Sequence, residues 1–266
     1  MVKQIKAGFG SWVNKFSRGK YRTLYLDLMV RCLSGTIYQD RPLQNAFASK
    51  EYSAELRESG LDWPSQAHSM IGVKRLNNLR TLAETAIRRR VPGDFIETGV
   101  WRGGACILMR AVLKAYGQKD RRVWVADSFA GLPPPDPANY PADEGDGFHG
   151  YTELAVPLDE VKQNFARYDL LDEQVVFLQG WFKDTLPSAP IDKLAILRLD
   201  GDMYESTMDA LSALYDKVSP GGYVIIDDYH VVKGCKKAVH DFLSLRNLSP
   251  AIQEIDGVGV YWKVVG

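Results

Sequence analysis

The chain has 266 residues, a length that fits one large domain or one domain with a covering segment. Lys+Arg and Asp+Glu both number 33, so the formal net charge is +0, which argues against a dedicated nucleic-acid surface. The three cysteines, Cys32, Cys106 and Cys235, are too widely spaced to indicate a disulfide framework or a zinc ribbon, and we expect a cytoplasmic protein.

The first third of the chain predicts helices separated by breakers. Basic residues are mixed with aromatic ones over positions 1–20, without the continuous apolar core of a signal peptide. Apolar residues at helical spacing predict helices over 21–33 and 70–90, and glycines and prolines interrupt residues 34–68 between them. No apolar run is long enough to cross a bilayer, so we expect no membrane partner.

From residue 94 onward, short apolar runs alternate with helical patterns. Strands are predicted at 94–97, 123–127, 175–178, 194–199 and 223–226, with helices at 105–116, 161–168, 204–217 and 234–245. Residues 252–255 and 258–264 flank Asp256-Gly257 and predict a closing β-hairpin. This alternation indicates an α/β fold with a doubly wound, mostly parallel sheet. The Pro-, Gly- and Asp-rich stretch 129–157 is long enough to predict a lid.

Two of the predicted strands end in carboxylates. Asp200 and Asp202 follow one apolar run, and Asp227 and Asp228 follow the next. Ligands bind at the carboxyl ends of parallel strands, and converging carboxylates repel each other unless a cation such as Mg²⁺ lies between them. We therefore predict Asp200, Asp227 and Asp228 as metal ligands. Asp202 either joins them or caps the helix near Tyr204, and a set of helix caps is the alternative for the whole cluster.

A glycine-containing turn follows the first predicted strand, at 94–97. Glu97 ends the strand, and Gly99 and Gly103 follow with Glu-x-Gly-x-x-x-Gly spacing rather than the G-x-G-x-x-G of dehydrogenases. This spacing is typical of S-adenosylmethionine sites, where the acid lies near the ammonium group and backbone amides lie near the carboxylate. A tight turn without a ligand is the alternative.

Four further side chains are candidates for ligand contacts. Asp127 ends the second strand, where a carboxylate can accept hydrogen bonds from both ribose hydroxyls or can cap a turn. Trp181, after Gly180, would flank the adenine ring or pack at the edge of the core. His149 lies in the predicted lid and His230 near the acids; each would contact substrate or remain a surface residue.

Five blocks in this order resemble the macrocin O-methyltransferase (TylF) family, and the similarity runs from about residue 67 to the C-terminus. The blocks are ETGVWRGG (97–104), ADSFAGLP (126–133), GWFKDTLP (180–187), LRLDGDMYEST (197–207) and SPGGYVIIDDY (219–229). Members of this family methylate hydroxyls on the deoxysugars of antibiotics such as tylosin, mycinamicin and novobiocin. The resemblance therefore implies an antibiotic-tailoring enzyme.

The same resemblance implies a class I, Rossmann-like methyltransferase fold with a seven-stranded sheet, a C-terminal antiparallel hairpin and a helical N-terminal arm. It implies S-adenosylmethionine, Mg²⁺ and a homodimer, with metal on Asp200, Asp227 and Asp228. Asp200 would be the general base, with Asp202 as the other candidate. Residues 1–66 would shape the acceptor pocket, and residues 67–266 would form the methyltransferase domain. The expected cofactor-binding set is Met70, Ile71, Glu97, Thr98, Gly99, Val100, Gly103, Asp127, Ser128, Gly180 and Trp181, and His149 is the expected substrate contact.

The predicted function is Mg²⁺-dependent methyl transfer from S-adenosylmethionine to a sugar hydroxyl of a glycosylated small molecule. A catechol or phenol acceptor would use the same chemistry. A nicotinamide-dependent oxidoreductase is the alternative from another class, but it would require the G-x-G-x-x-G spacing. A binding module without catalysis would have no need of a charged cluster that costs stability.

Overall fold

The computed structural model describes residues 19–44 and 51–266, so the predictions for positions 1–18 and 45–50 lie outside the described residues. Helix α1 covers residues 19–33 of the described part, and α3 covers Gly72–Arg88, which confirms both predicted N-terminal helices. A further helix, α2 (Ala54–Ser59), lies in the region where no element was predicted. With six residues it is too short for apolar periodicity to indicate it.

The rest of the chain alternates strands and helices as predicted. The strands are β1 (Asp94–Thr98), β2 (Val123–Asp127), β3 (Val175–Gln179), β4 (Leu194–Leu199), β5 (Val218–Ile226), β6 (Gln253–Glu254) and β7 (Val260–Lys263). The helices are α4 (Gly104–Ala115), α5 (Leu158–Arg167), α6 (Phe182–Thr185), α7 (Tyr204–Leu214) and α8 (Lys233–Leu245). The long loop (residues 129–157) contains three short 3₁₀ turns, Pro141–Asp143, Phe148–Gly150 and Thr152–Leu154.

The seven strands form one sheet in the order β3-β2-β1-β4-β5-β7-β6. β7 is antiparallel to both β5 and β6, and the other pairings are parallel, which confirms the predicted sheet and closing hairpin. β5 begins five residues before the predicted start at residue 223. Its first part runs through Pro220-Gly221-Gly222, and a register shift between β4 and β5, with Gly221 at φ +88°, absorbs the additional residues. The helix predicted over 204–217 ends at Leu214 and is followed by a 3₁₀ turn.

Parallel register brings three strand ends to the same level. Thr98, Leu199 and Ile226 are neighbours across β1, β4 and β5. The backbone ladder continues one residue further, because Asp200 N donates to Thr98 O and Asp227 N donates to Leu199 O, both at 2.9 Å. The acidic residues therefore leave the sheet side by side.

Both faces of the sheet are buried, as the continuous apolar runs predicted. Phe95 points to a cluster that includes Leu79 of α3 and Leu108 of α4. Its neighbour Ile96 points to the opposite cluster, with Leu211 of α7. This is the alternation that a strand between two helical layers requires.

A buried arginine holds the described part of the N-terminal arm together. Arg57 of α2 binds the Asp62 carboxylate through Nε at 2.8 Å and Nη2 at 2.7 Å, and it also donates to the carbonyl oxygens of Ser34 and Asp40. Asp40 in turn accepts a hydrogen bond from Ala67 N at 2.7 Å. These bonds attach the arm to the segment that leads into α3. Within the described residues no helix is long and apolar enough to span a membrane.

Candidate active site

A cleft of about 490 Å³ lies at the carboxyl ends of the strands. It straddles β1 and β4, where the strand order reverses, which is where open α/β sheets bind ligands. Leu61 and Trp63 of the arm, Phe148 of the long loop and Val258 of the hairpin turn also line it. The cleft thus has a floor of strand ends and walls from segments outside the sheet.

Most of the predicted cofactor-binding residues line this cleft, and three do not. The lining members are Met70, Ile71, Glu97, Gly99, Val100, Asp127, Ser128 and Trp181. Thr98 is fully buried beneath the floor. Gly103, at φ +85°, precedes α4, and Gly180, at φ +139°, follows β3; both shape turns beside the cleft.

The glycine at position 99 is required by the packing of the sheet itself. Gly99 has φ +83°, and a Cβ there would lie 1.8 Å from the Asp200 carbonyl oxygen. Gly104, which sequence reasoning did not include, also lines the cleft, and a Cβ on it would lie 2.3 Å from His68 O. Each glycine lets two backbone segments meet at the cleft floor.

Glu97 lies at the floor with both carboxylate oxygens engaged. Arg198 of β4 donates to Oε1, and the Cys106 thiol donates to Oε2 at 2.9 Å. Burial raises the pKa of Glu97 to about 7, and Arg198 opposes that rise. The carboxylate is therefore fixed in orientation beside the glycine turn.

Asp127 organises the turns on either side of it. Its Oδ2 accepts a hydrogen bond from Val100 N and its Oδ1 from Phe129 N, both at 2.7 Å. The turn-capping alternative is thus realised in the structure, and the Ser128 hydroxyl also donates to Oδ1 at 3.4 Å. Burial raises the pKa of Asp127 above its usual range.

The three predicted metal-ligating carboxylates converge. Asp200, Asp227 and Asp228 each offer an oxygen, and these atoms lie within 4.8 Å of one another, close enough to ligate a single ion. Two arginines that sequence reasoning did not include stand beside them. Arg198 donates to Asp200 Oδ2 at 2.7 Å and to Asp227 Oδ1, and Arg75 of α3 donates to Asp227 Oδ2. A cation within the apolar run of β4 was the available signal for Arg198.

The arginines do not balance the acids around them. Glu97, Asp200, Asp202, Asp227 and Asp228 all line the cleft. Five carboxylates against two guanidinium groups leave three formal negative charges. Burial, followed by repulsion from neighbouring carboxylates, raises the pKa of both Asp202 and Asp228 well above the usual range. The cluster therefore keeps an excess of negative charge that a bound cation would offset.

Asp202 does not cap α7, so that alternative is wrong. The long loop supplies the cap instead: Asp143 Oδ1 accepts from Tyr204 N at 2.6 Å, and Oδ2 accepts from Glu205 N at 3.0 Å. Asp202 has a left-handed backbone, φ +58°, and its carboxylate lines the cleft without a hydrogen-bond donor among the described residues. Asp143 lies about 60 positions away in the sequence, where no local pattern indicates such a role.

The histidines occupy different environments. His149 is exposed and does not line the cleft, although its neighbour Phe148 does. His230 pairs with Glu254 at the surface, 2.8 Å from its Oε2. His68, which sequence reasoning did not include, lines the cleft and meets the Tyr168 hydroxyl through Nδ1 at 2.8 Å. Burial lowers the pKa of His68 to about 4, so the ring is neutral near pH 7.

The sheet order, the antiparallel seventh strand and the acid-ended glycine turn define a class I S-adenosylmethionine-dependent methyltransferase. The chain belongs to the macrocin-O-methyltransferase (TylF) family, whose model matches residues 22–264, and it is therefore an O-methyltransferase. Both the family resemblance and the fold predicted from the sequence are confirmed.

Named relatives cover nearly the whole chain. Demethyldecarbamoylnovobiocin O-methyltransferase of Streptomyces niveus is 53% identical over 244 residues, spanning 91% of this chain and 93% of the relative. Mycinamicin III 3''-O-methyltransferase of Micromonospora griseorubida is 52% identical over 244 residues, spanning 90% and 96%. The solved structure of the O-methyltransferase NovP is 52% identical, covers 92% of this chain and 100% of its own, and superposes with a TM-score of 0.89. The calicheamicin methyltransferase CalS11, at 21% identity, 71% and 78% coverage and a TM-score of 0.57, shares the fold.

Proposed function

We propose that this enzyme transfers the methyl group of S-adenosylmethionine to a sugar hydroxyl of a glycosylated natural product, with Mg²⁺ held by Asp200, Asp227 and Asp228. The observation that carries the proposal is the meeting, in one cleft, of the glycine turn after Glu97 and the three convergent carboxylates. Two relatives more than 50% identical are named for methylating demethyldecarbamoylnovobiocin and mycinamicin III, and these names support the acceptor class.

The residues present fit a hard divalent cation. The candidate ligands are all oxygens, and the cluster keeps an excess of negative charge beside its two arginines. When bound, Mg²⁺ supplies a Lewis acid that lowers the pKa of the acceptor hydroxyl. Arg198 and Arg75 hold the carboxylates in place, because together they occupy one oxygen of Asp200 and both oxygens of Asp227.

S-adenosylmethionine brings an activated methyl group, so the protein has mainly to align the attacking oxygen. We assign Glu97 to the cofactor ammonium group and Asp127 to the ribose hydroxyls. Trp181, about one third exposed in the cleft wall, is assigned to the adenine ring. Methyl transfer would then take place between the part of the cleft lined by Glu97, Asp127 and Trp181 and the acidic residues that follow β4 and β5.

The contacts favour Asp202 over the predicted Asp200 as the group that takes the hydroxyl proton. Burial and then Asp227 raise the pKa of Asp200, and the charge-assisted hydrogen bond from Arg198 opposes that rise, which makes Asp200 a weaker base than it would be without this arginine. Asp202 adjoins this group, since its backbone N donates to Asp228 Oδ2 at 3.3 Å, and its carboxylate accepts no such bond within the described part of the chain. We therefore assign Asp200 to the metal and Asp202 to the proton.

Paired variants separate these two roles. We expect Asp200→Asn to weaken Mg²⁺ binding about 10- to 100-fold. We expect Asp202→Asn to keep Mg²⁺ affinity and lose about 10²-fold or more in turnover at saturating metal. Asp192→Asn, an exposed acid just before β4 at the opposite end of that strand, is the matched control. Normal turnover in Asp200→Asn, together with no effect of EDTA on the wild type, would refute the metal role.

The acceptor class is tested by assaying several candidate acceptors. Leu61, Val231 and Val258 give the metal side of the cleft an apolar wall that suits an aglycone, but a catechol would also find it favourable. Demethyldecarbamoylnovobiocin, mycinamicin III and catechol should be assayed side by side with Mg²⁺. Methylation of catechol alone would overturn the sugar assignment. The homodimer stays a proposal from the family resemblance, and light scattering measures it directly.

A further inference from the structure

The N-terminus of α7 is held by a residue from another part of the chain. Met203, the residue before the helix, offers no side-chain hydrogen bond to the first helical amides. Asp143 of the long loop supplies both acceptors instead and is only 3% exposed. Gly234, at the start of α8, makes room for it, since a Cβ there would lie 2.8 Å from Asp143 Oδ1. The loop, α7 and α8 therefore meet at one buried carboxylate.

The helix that Asp143 caps begins immediately after the acidic segment 200–202. Two residues, Asp202 and Met203, separate Gly201 from Tyr204, so the position of the first turn of α7 sets the direction in which this segment leaves β4. Asp202 also has a left-handed backbone, φ +58°, a conformation that is uncommon outside glycine although aspartate is among the residues that adopt it. The cap of α7 therefore affects both how the helix begins and where the acidic side chains of segment 200–202 lie.

The same loop covers the cleft. Beyond Asp143 it reaches Phe148, which lines the cleft, and its far end is fixed by Trp101 Nε1, which donates to Glu153 O at 2.9 Å. The ring of Tyr151 stands edge-on to Trp63 of the arm, with centroids 5.6 Å apart. Between these anchors, residues 144–150 include three glycines at which a Cβ would meet nothing within 4 Å.

We propose that Asp143 is a positioning residue that couples the docking of the long loop to the placement of the acidic segment 200–202. When the loop docks, the Asp143 carboxylate completes the first turn of α7 and fixes the acids while Phe148 covers the acceptor. When the loop lifts, the cap is lost and the acids lose their fixed position. The proposal deepens the proposed function and rests on it.

The test compares Asp143→Ala, Asp143→Asn and the control Asp136→Ala in the full-length protein. Asp136 lies in the same loop but is only partly buried, and its side chain accepts from the Asn139 amide group at 2.7 Å. Calorimetry gives the affinities for Mg²⁺ alone and for S-adenosylhomocysteine, and hydrogen exchange reports on the amides of Tyr204 and Glu205. Melting temperatures are recorded for all variants.

We expect Asp143→Ala to weaken Mg²⁺ binding about tenfold, within the range found when residues that orient metal ligands are removed. Exchange at the two amides should rise, while affinity for S-adenosylhomocysteine stays within about twofold, because the cofactor half of the cleft lies on β1 and β2. Asp143→Asn keeps one of the two acceptor oxygens at the helix terminus and should recover part of the Mg²⁺ affinity. Asp136→Ala should match the wild type.

The proposal is overturned if Asp143→Ala lowers the melting temperature but leaves Mg²⁺ affinity unchanged, since the residue then only stabilises the fold. It is also overturned if Asp143→Ala does not fold and folded Asp143→Asn shows faster exchange at Tyr204 and Glu205 with unchanged Mg²⁺ affinity, since the cap and the acids are then not coupled. Failure of the wild type to bind Mg²⁺ or S-adenosylhomocysteine would instead sink the proposed function, and the coupling with it.

Discussion

Arg198 is the central cation of the site, and its removal has a calculable cost. The guanidinium is 1% exposed and binds Glu97, Asp200 and Asp227 at once. Arg198→Met keeps similar bulk but leaves the buried carboxylates of Glu97 and Asp227 and the partly buried one of Asp200 without this partner. Removal of one partner from a buried ion pair typically costs about 3–5 kcal/mol.

This cost translates into a thermal shift. An unfolding entropy of about 2.1 cal/mol/K per residue, applied to 266 residues, gives about 0.56 kcal/mol/K, so 3–5 kcal/mol lowers Tm by about 5–9 °C. Calorimetry of Arg198→Met without divalent metal measures the shift directly. Arg88→Met is the matched control, because Arg88 is half exposed and its pair with Glu84 is worth at most about 1 kcal/mol.

The same experiment tests whether the acidic cluster has an excess of negative charge that a cation offsets. Added Mg²⁺ should stabilise Arg198→Met more than it stabilises the wild type, because the variant lacks one of the two arginines that offset the acids. A loss of less than about 2 °C, equal to that of Arg88→Met, would show that Arg198 is not needed to neutralise the acids and would refute the reasoning.

Two further outcomes follow from the cleft. The free energy of unfolding should fall as the pH is lowered from about 6.5 to about 4, because the unfolded chain takes up a proton on His68 before the folded protein does. His68 contributes at most about 3 kcal/mol to this loss. Urea titrations of the wild type and His68→Gln at both pH values measure it. If both proteins lose stability equally over this range, His68 does not contribute. Trp181→Ala should weaken S-adenosylhomocysteine binding by about 0.5–1.5 kcal/mol, or about 2- to 13-fold, with little change in Tm. Unchanged affinity would leave Trp181 as an edge residue of the core.

The parts of the fold that sequence could predict are those with a repeating physical cause. Strands buried on both faces need uninterrupted apolar runs, and parallel strands that end in acids must bring those acids together. For this reason the neighbourhood of Asp200, Asp227 and Asp228 followed from the pattern alone. The N-terminal extension of β5 did not, because Pro220-Gly221-Gly222 reads as a turn and only pairing with β4 and β7 makes it strand.

The parts that sequence could not predict depend on contacts between distant segments. Asp143 caps a helix about 60 residues further along the chain, and Arg75 reaches Asp227 from a helix 152 residues before it. Local capping rules consider only neighbours in the sequence, which made Asp202 the natural candidate for α7. Charge balance in the cleft showed the same limitation: the acids were evident, but the arginines between them were not.

The division between floor and walls has a consequence for altering the enzyme. Residues that would carry the chemistry leave adjacent strands and share arginines, so a change at one of them disturbs the others. Leu61, Phe148 and Val258 come from three separate segments, the arm, the long loop and the hairpin turn, and line the cleft without belonging to the group of acids and arginines. Under the proposed function, substitutions at these three positions, made in the laboratory or by natural selection, are expected to change acceptor preference while leaving the acids and arginines in place.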